Sequence, residues 1–364
     1  MANARLQDDD PLQFAEDLVA EGKAADAASF LQAVIDAGRG GLLAHLALAR
    51  ALQAAGQVQS ALEAARETAL LNPQVAVAAL GLGEILLKAG QLPTAIGEFQ
   101  RALRLDPALE EARYGLGCAW LDAGEAEKAL ASFDELSAAM TVQARPKIAD
   151  AQAVSRQPRS DPRYVRHLFD QFSIDYDERM LGQLCYAAPR ILRELFALVA
   201  GEHRKRSLRV LDLGCGTGLS GAAFRDLTAA LHGIDLSPAM IEKSRAREIY
   251  DRLNVGDLQS ALSEGDQYDL ILAADTLVYL GDLGAVFEGA ARSLVAGGHF
   301  LFTVEKHDGN GYALGPKRRW RHTESYLRAQ AALAGFDVVG LLECSPRSEA
   351  NVPVEGLAVA LVKA

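Results

Sequence analysis

Two short segments in the second half of the chain constrain its fold most strongly. Residues 208–218 read Leu-Arg-Val-Leu-Asp-Leu-Gly-Cys-Gly-Thr-Gly, and residues 231–237 read Leu-His-Gly-Ile-Asp-Leu-Ser. This order predicts a buried strand, a glycine turn, a helix and a second strand that ends in an acid. Three glycines in five residues let the backbone bend and approach a ligand that a Cβ would obstruct. Asp235 lies 21 residues past Gly214, where its carboxylate can accept hydrogen bonds from a ribose diol.

The acid that precedes the glycines helps to choose among nucleoside-containing ligands. A dinucleotide site normally reads Gly-x-Gly-x-x-Gly and places a pyrophosphate at the helix N-terminus. Here the spacing is Gly-x-Gly-x-Gly, and Asp212 stands two positions before the first glycine. A carboxylate at that position repels phosphate and suits an ammonium group. The spacing therefore disfavours a nicotinamide-dependent enzyme built on a similar sheet.

In these two segments the chain resembles the class I S-adenosylmethionine-dependent methyltransferases. The resemblance continues in order through residues 233–240, 254–258, 268–275 and 294–300, which read Gly-Ile-Asp-Leu-Ser-Pro-Ala-Met, Asn-Val-Gly-Asp-Leu, Tyr-Asp-Leu-Ile-Leu-Ala-Ala-Asp and Leu-Val-Ala-Gly-Gly-His-Phe. It implies that the cofactor is S-adenosylmethionine and that the chain methylates a small-molecule or peptide acceptor. The alternative interpretation is an interaction scaffold whose methyltransferase-like domain binds the cofactor without catalysis.

The first part of the chain repeats with a period of 34 residues. The repeated positions are Gly22, Gly56, Gly90 and Gly124, and Ala27, Ala61, Ala95 and Ala129. Small residues suit positions where paired helices cross closely, and glycine ends the first helix of a pair. This pattern is similar to the tetratricopeptide repeat. We expect about four units over residues 1–145, which the resemblance assigns to protein interaction or substrate recruitment.

The remaining sequence predicts a linker and an α/β domain. Residues 146–160 are polar and contain prolines, and within this linker a capping helix is expected around residues 147–155. Residues 161–364 begin with a helical segment that, by the resemblance, forms a lid over the cofactor. Seven strands are predicted at residues 208–213, 230–235, 252–256, 268–274, 298–305, 335–344 and 354–362. Alternation with helices predicts a mostly parallel sheet, and the short last connection makes the final two strands antiparallel. The expected fold is thus an α-helical solenoid followed by a Rossmann-like seven-stranded methyltransferase sheet.

The resemblance places the cofactor at the ends of the first strands. It implies that Asp212 receives the amino group, that Asp235 binds the ribose and that Asp257 binds the adenine amino group. The alternatives are a helix N-cap for Asp257 and core packing for Met240. The full set of expected cofactor-binding residues is Asp212, Gly214, Cys215, Gly216, Gly218, Asp235, Leu236, Met240, Asp257, Leu258 and Asp275, with Tyr164 and Tyr176 from the lid.

The acceptor is expected beside the end of the fourth strand. Asp275 lies there and is a candidate catalytic residue together with His307 and His322. A histidine can take a proton from a hydroxyl or amine because its pKa lies near neutrality, although each is also suited to a structural role. The expected pocket residues are Tyr279, Glu305 and Tyr326. Neither Asn-Pro-Pro-Tyr nor Asp-Pro-Pro-Tyr follows this strand, which by the resemblance disfavours methylation of exocyclic or amide nitrogens.

Composition and charge exclude several other classes of protein. Residues 1–145 carry 11 Lys/Arg and 20 Asp/Glu, and the rest carries 26 and 28, so neither part has the positive field that nucleic-acid binding needs. The basic run at residues 317–321 is expected on a solvated loop or at the mouth of the site. Neither a Cys-x-x-Cys pair nor a metal-ligand spacing occurs, so no disulfide and no metal are expected. Without a membrane-length apolar run, and with a start at residues 1–10 unlike a signal peptide, we expect a cytoplasmic protein that does not engage membranes.

Overall fold

The repeated sequence folds into a stack of helix pairs. The computed structural model describes residues 10–200, 207–263, 265–315 and 318–364, and it separates into units at residues 1–156 and 157–364. The helices of the first unit are α1 (Pro11–Ala20), α2 (Ala24–Asp36), α3 (Leu42–Ala54), α4 (Val58–Leu71), α5 (Ala76–Lys88), α6 (Leu92–Leu105), α7 (Glu110–Asp122), α8 (Ala126–Asp134) and α9 (Ala138–Ser155). Two regions used in the sequence analysis lie outside the described residues. They are residues 1–9, most of the segment that was compared with a signal peptide, and Lys317 of the basic run.

The glycines of the repeat perform the role that their spacing predicted. Gly90 has a φ of 73°, and its N–H donates to the carbonyl of Leu87 while Gln91 donates to Leu86. This left-handed residue ends the first helix of the pair and reverses the chain into the second. Equivalent glycines end α1, α3 and α7. The helical repeat solenoid is therefore confirmed.

The segment predicted to be a linker is largely helical. Helix α9 runs through residue 155 and contains Pro146, which removes one backbone donor from the helix. Its inner face buries Ala144 and Ala151 against Phe133 and Leu121. Packing of this face on the last repeat pair keeps the segment helical in spite of the proline.

The second unit is a mixed sheet with helices on its faces. Its strands are β1 (Leu208–Leu213), β2 (Thr228–Asp235), β3 (Arg252–Val255), β4 (Tyr268–Ala273), β5 (Leu294–Lys306), β6 (Tyr312–Leu314), β7 (Trp320–His322), β8 (Phe336–Cys344), β9 (Ser348–Glu349), β10 (Val352–Pro353) and β11 (Gly356–Lys363). The main path runs β3-β2-β1-β4-β5-β11-β8. Strands β1 to β5 pair in parallel, and β11 is antiparallel to both β5 and β8.

The seven strands of this main path correspond to the seven predicted strands, and the structure adds several short strands. Strands β6 and β7 join the sheet through β5, while β9 and β10 form a separate pair. The helices are α10 (Pro162–Phe172), α11 (Tyr176–Glu178), α12 (Ala188–Ala200), α13 (Leu219–Phe224), α14 (Pro238–Arg245), α15 (Leu258–Ala261), α16 (Gly284–Ser293) and α17 (Glu324–Leu333), with a π-helix at Arg179–Gln183 and 3₁₀ turns at Ser173–Asp175 and Leu277–Tyr279. The carboxyl ends of β1, β2 and β4 meet at one edge, where a ligand site is expected in such sheets.

None of the helices in the described ranges is both long enough and apolar enough to cross a membrane.

Close packing in the repeat unit yields a test with a matched control. A Cβ on Gly115 would lie 2.5 Å from the ring of Phe99, which is fully buried. We therefore expect Gly115→Ala to lower the free energy of unfolding by about 1–2 kcal/mol, despite the higher helix propensity of alanine. Gly97 lies in α6, the helix that carries Phe99, with no atom within 4 Å of an added Cβ, so Gly97→Ala should stabilise by roughly 0.5–1 kcal/mol. Urea denaturation measures both, and equal effects would refute this packing.

Candidate functional site

A cavity of about 330 Å³ lies where the carboxyl ends of β1, β2 and β4 meet. This volume lies within the range of small-molecule sites. Its floor is formed by the glycine turn after β1 and by the residues that follow β2, β3 and β4. Its cover is formed by apolar side chains of the segment that was predicted to be a lid: Val165, Leu168, Phe169, Phe172, Met180 and Leu184.

The glycine turn has the conformation that its sequence requires. Gly214, Gly216 and Gly218 have φ values of 67°, 53° and 93°, a region that other residues rarely adopt. A Cβ on Gly214 would lie 2.4 Å from the side chain of Thr276, whereas one on Gly216 would meet no atom within 4 Å. The turn is thus packed on β4 at one end and open to the cavity in its middle.

Asp235 is fixed on the cavity wall by backbone donors. The N–H of Gly216 donates to Oδ2 and that of Ser237 to Oδ1, each at 2.9 Å. Burial raises the pKa of the Asp235 carboxyl to about 6, and these two hydrogen bonds oppose the rise. Each carboxylate oxygen retains a lone pair with which it can accept a further donor, such as a ligand hydroxyl.

Asp212 lies beneath the turn and is not part of the cavity wall. It is fully buried, and the hydroxyl of Tyr250 donates to its Oδ2 at 2.7 Å. Its Oδ1 is buried without a partner among the described residues. Burial raises the pKa of the carboxyl to about 7, and the hydrogen bond from Tyr250 opposes the rise.

Asp257 caps a helix, as one of its two alternatives expected, and its contact with adenine stays a prediction. Its Oδ1 accepts from the N–H of Gln259 and caps α15, and the residue also lines the cavity. Its Oδ2 forms an ion pair with the Nη2 of Arg159 at 2.5 Å. Arg159 lines the cavity as well, and sequence analysis missed it because it lies in the segment predicted to be a linker.

Two carboxylates attach the lid to the floor. Ser237 Oγ donates to Asp170 in α10 at 2.5 Å. Asp177 in α11 accepts hydrogen bonds from Thr217 Oγ1 and from the guanidinium of Arg247. These contacts join the lid to the residues that flank the glycine turn and Asp235, so the cavity is covered in this structure.

A buried charge cluster adjoins the cavity wall where the chain leaves β4. Asp275 lines the cavity, and Arg347 donates to Asp275, to Glu305 and to Glu349. Arg319 also lines the cavity and pairs with Glu349. Arg319 belongs to the basic run that was expected on a solvated loop or at the mouth of the site, and it does line the cavity. Nothing in the local sequence pointed to Arg347, because it lies on an irregular segment that only the folded chain brings to β4 and β5.

The structure brings most of the expected site residues together. The expected residues on the cavity wall are Gly214, Cys215, Gly216, Asp235, Leu236, Asp257, Leu258, Asp275, Tyr176 and Tyr279. Those that do not line it are Asp212, Gly218, Met240, Tyr164, Glu305, His307, His322 and Tyr326.

The expected residues that lie away from the wall have other partners. His322 is buried, faces the carbonyl of Gly281 at 3.0 Å, and has a pKa lowered to about 4 by burial. Tyr326 donates to Asp282 and accepts from the N–H of Leu283. Met240 is fully buried in α14. The ring of Tyr164 lies 4.9 Å from the guanidinium carbon of Arg318, and Glu305 binds Arg347. His307 is half-buried at the end of β5.

Two family models match the chain. A methyltransferase domain model matches residues 211–300, which include the glycine turn, Asp235 and Asp275. A tetratricopeptide repeat model matches residues 46–110.

Individual proteins resemble this chain over part of its length. Human methyltransferase-like protein 27 is 38% identical over 92 residues, covering 24% of this chain and 36% of that protein. Aklanonic acid methyltransferase DauC of Streptomyces sp. (strain C5) is 32% identical over 156 residues, covering 40% of this chain and 67% of that protein. The chain thus spans about a third of the length of the human protein and about two thirds of the Streptomyces one. The crystal structure of magnesium protoporphyrin IX methyltransferase from Synechocystis PCC 6803 with bound SAM aligns with a TM-score of 0.44 and 17% identity over 56% of this chain and 97% of that one.

The raised pKa of Asp212 predicts a pH-dependent effect on stability. The carboxyl titrates at about 7 in the folded chain and near 3.8 when unfolded, so the folded chain binds more protons between these values and loses stability as pH rises through them. Asp212→Asn removes this loss, so its stability relative to wild type should increase by roughly 2 kcal/mol from pH 5 to pH 8. Urea denaturation at both pH values measures the change, with Asp226→Asn, an exposed acid, as control. A difference that does not change with pH would contradict the assignment.

Proposed function

We infer that this chain, which belongs to the S-adenosylmethionine-dependent methyltransferases and carries tetratricopeptide repeats before its methyltransferase domain, transfers the methyl group of S-adenosylmethionine to a small-molecule acceptor. One observation carries the proposal. A single covered cavity is lined by the glycine turn, by Asp235 and by Asp275. Cofactor and acceptor can therefore meet in one enclosed space.

The residues of the cavity fit S-adenosylmethionine. Asp235, Asp257 and Asp275 line it, and such an acidic wall suits a cationic, hydroxyl-rich ligand rather than a phosphate. Asp235 would bind the ribose hydroxyls, and Asp257 with Leu236 and Leu258 would hold the adenine. The open side of Gly216 would admit the amino-acid end close to the backbone. The unpartnered Oδ1 of Asp212 gives the ammonium group an acceptor beneath the turn, reached through water or a small movement of the turn.

The chain contributes alignment and exclusion of water. When bound, S-adenosylmethionine supplies an electrophilic methyl group on a sulfonium centre, and the protein has little covalent chemistry to add. Asp235 and the glycine turn fix one end of the cavity, while Asp170 and Asp177 hold the lid closed over it. Holding donor and acceptor in line in a dry cavity is worth several orders of magnitude in rate.

The acceptor is proposed to be small and partly apolar. The lid presents Leu168, Phe169 and Phe172 to the cavity, and a covered cavity of about 330 Å³ has no room for a folded protein. The name of the Streptomyces relative also indicates a small organic acceptor for that protein. A peptide acceptor is the second candidate, supported by the repeats alone.

The repeats are proposed to bind a protein partner or to recruit the acceptor. Their match to the tetratricopeptide family and their net negative charge support a basic or amphipathic protein segment as ligand.

If the repeats only recruit a partner, residues 157–364 should methylate a free small acceptor at a rate within about threefold of the full chain. A peptide acceptor should instead be methylated at least tenfold more slowly by that fragment, as measured by S-adenosylhomocysteine release.

The central site prediction concerns Asp235. Replacing it with alanine removes the proposed acceptor of two ribose hydroxyls, so the affinity for S-adenosylmethionine should fall at least tenfold, a loss of more than about 1.4 kcal/mol. Calorimetric titration measures the change. Asp226→Ala, at an exposed position outside the cavity, should bind as wild type does. Unchanged affinity in a folded Asp235→Ala chain would remove Asp235 from the cofactor site.

A further inference from the structure

Asp275 has a backbone conformation that its surroundings must impose. It follows β4 with a φ of 56°, a region that costs a residue other than glycine of order 1 kcal/mol or more. Its N–H donates to Thr303 Oγ1 at 2.8 Å, which holds this conformation from β5. The strained turn places the carboxyl group on the cavity wall. Strain of this kind is retained where a side chain has to be aimed in a fixed direction.

Arg347 fixes the carboxylate of Asp275 from behind. Its side chain is 1% exposed, and its guanidinium donates to Asp275 Oδ1, to Glu305 Oε1 and, at 3.2 Å, to Glu349 Oε1. The loop that carries it is itself held, because the carbonyl of Pro346 accepts from Ala187 at 2.8 Å. No hydrogen bond from a described residue reaches Asp275 Oδ2. One carboxylate oxygen is thus anchored and the other is free.

The free Oδ2 of Asp275 decides which groups suit this part of the cavity. Asp275 shares Arg347 with Glu305 and Glu349, and its side chain is 11% exposed. Arg319 and Arg321 bring two further guanidiniums to Glu305, at 3.7 and 3.4 Å. An ionised carboxylate oxygen accepts hydrogen bonds and donates none. A hydrogen-bond donor would therefore be favoured beside Asp275, and a second ionised carboxylate would be disfavoured.

We propose, on the basis of the methyltransferase function above, that the acceptor bears a hydrogen on the atom that is methylated, as a phenol, an alcohol or an amine does. In this proposal Asp275 accepts the hydrogen bond from that atom, and Arg347 is the positioning residue that keeps Asp275 aimed at it. Acceptors whose reacting group is an ionised carboxylate are disfavoured, because such a group has no hydrogen to donate to Asp275.

The acceptor loses a proton in the reaction, and Asp275 is the group that receives it. As the acceptor oxygen or nitrogen bonds to the methyl carbon, the carbon–sulfur bond breaks and its electron pair stays on sulfur. The proton of the acceptor hydroxyl or ammonium is then in excess. Asp275 receives it through the hydrogen bond and releases it to solvent after the products leave. No oxidant, reductant or metal ion enters this balance.

The titration of Asp275 follows from the groups that surround it. Burial raises the pKa of its carboxyl, and Arg347 and Arg319 lower it. The titratable and charged groups that face it are Arg347 and Glu349 from the loop after β8, Arg319 before β7, Glu305 of β5, Cys344 of β8, and Tyr176, Tyr186 and Tyr279 around the cavity. If residue 347 contacted Asp275 more weakly, the pKa of the Asp275 carboxyl would rise, and activity would begin at a higher pH.

An acceptor panel tests the proposed class. The full chain with S-adenosylmethionine is offered substituted phenols, benzyl alcohols and benzylamines, each beside the benzoate or phenylacetate of the same ring, and release of S-adenosylhomocysteine is measured. We expect turnover within the first group and at least tenfold less with the matched carboxylates. Turnover of carboxylates alone, or of no member of the first group while S-adenosylmethionine binds, would overturn the proposal. If S-adenosylmethionine itself fails to bind, the proposed function fails instead.

Variants of the two residues test their roles with the best acceptor of the panel. Asp275→Asn should lower kcat by about 100-fold or more while the affinity for S-adenosylhomocysteine stays within threefold of wild type. Arg347→Lys keeps the charge but loses the forked contact, so turnover should fall at least tenfold at pH 6 and return to within threefold of wild type at pH 9. Arg190→Leu, which breaks an exposed ion pair with Glu194, is the control and should leave the pH profile unchanged.

Two outcomes would refute the positioning role. One is an equal loss of turnover at pH 6 and pH 9 in Arg347→Lys, because a merely structural effect would not depend on the ionisation of Asp275. The other is wild-type turnover by Asp275→Asn. Binding of S-adenosylhomocysteine to each variant shows that the site has folded, so a loss of structure cannot be mistaken for either result.

Discussion

The hydrogen bonds that Asp235 accepts from the backbone of Gly216 and Ser237 hold the site together. They join the turn after β1 to the end of β2, and each charge-assisted bond of this kind is worth roughly 1.5–3 kcal/mol. The lid is attached at the same place. Thr217, which follows Gly216, donates to Asp177, and the side chain of Ser237 donates to Asp170. The position of the cover therefore depends on the geometry of the floor.

Buried acids lie on the cavity wall and, with Asp212, directly beneath the glycine turn, and they set the chemistry of the site. Burial raises the pKa of Asp212 to about 7 and that of Asp235 to about 6, and it also raises the pKa of Asp275. Such groups are costly to ionise in the empty protein. A cationic ligand relieves part of that cost, so its binding should stabilise the fold. The same acidic wall favours a sulfonium cofactor over a pyrophosphate.

Features that depend on local sequence were predictable. The helical repeat could be predicted from its 34-residue spacing, and the glycine turn from three glycines in five residues. Asp235 could be predicted from its place at the end of the next strand. Features that depend on long-range packing were not. Arg347 lies 72 positions from Asp275 on an irregular loop, and its role exists only because the sheet places β11 beside β5. The histidines were predicted to be near the acceptor only because their side chains can transfer protons. His322 is instead buried against the carbonyl of Gly281, outside the cavity.

Calorimetric titration of the full chain with S-adenosylhomocysteine, S-adenosylmethionine and NAD⁺ tests whether the acidic cavity is a site for a sulfonium nucleoside. We predict that the two sulfur nucleosides bind with one molecule per chain, and that NAD⁺ gives no heat of binding, because its pyrophosphate would face the acids of the cavity. Tight binding of NAD⁺, or the absence of binding by both sulfur nucleosides, would contradict it.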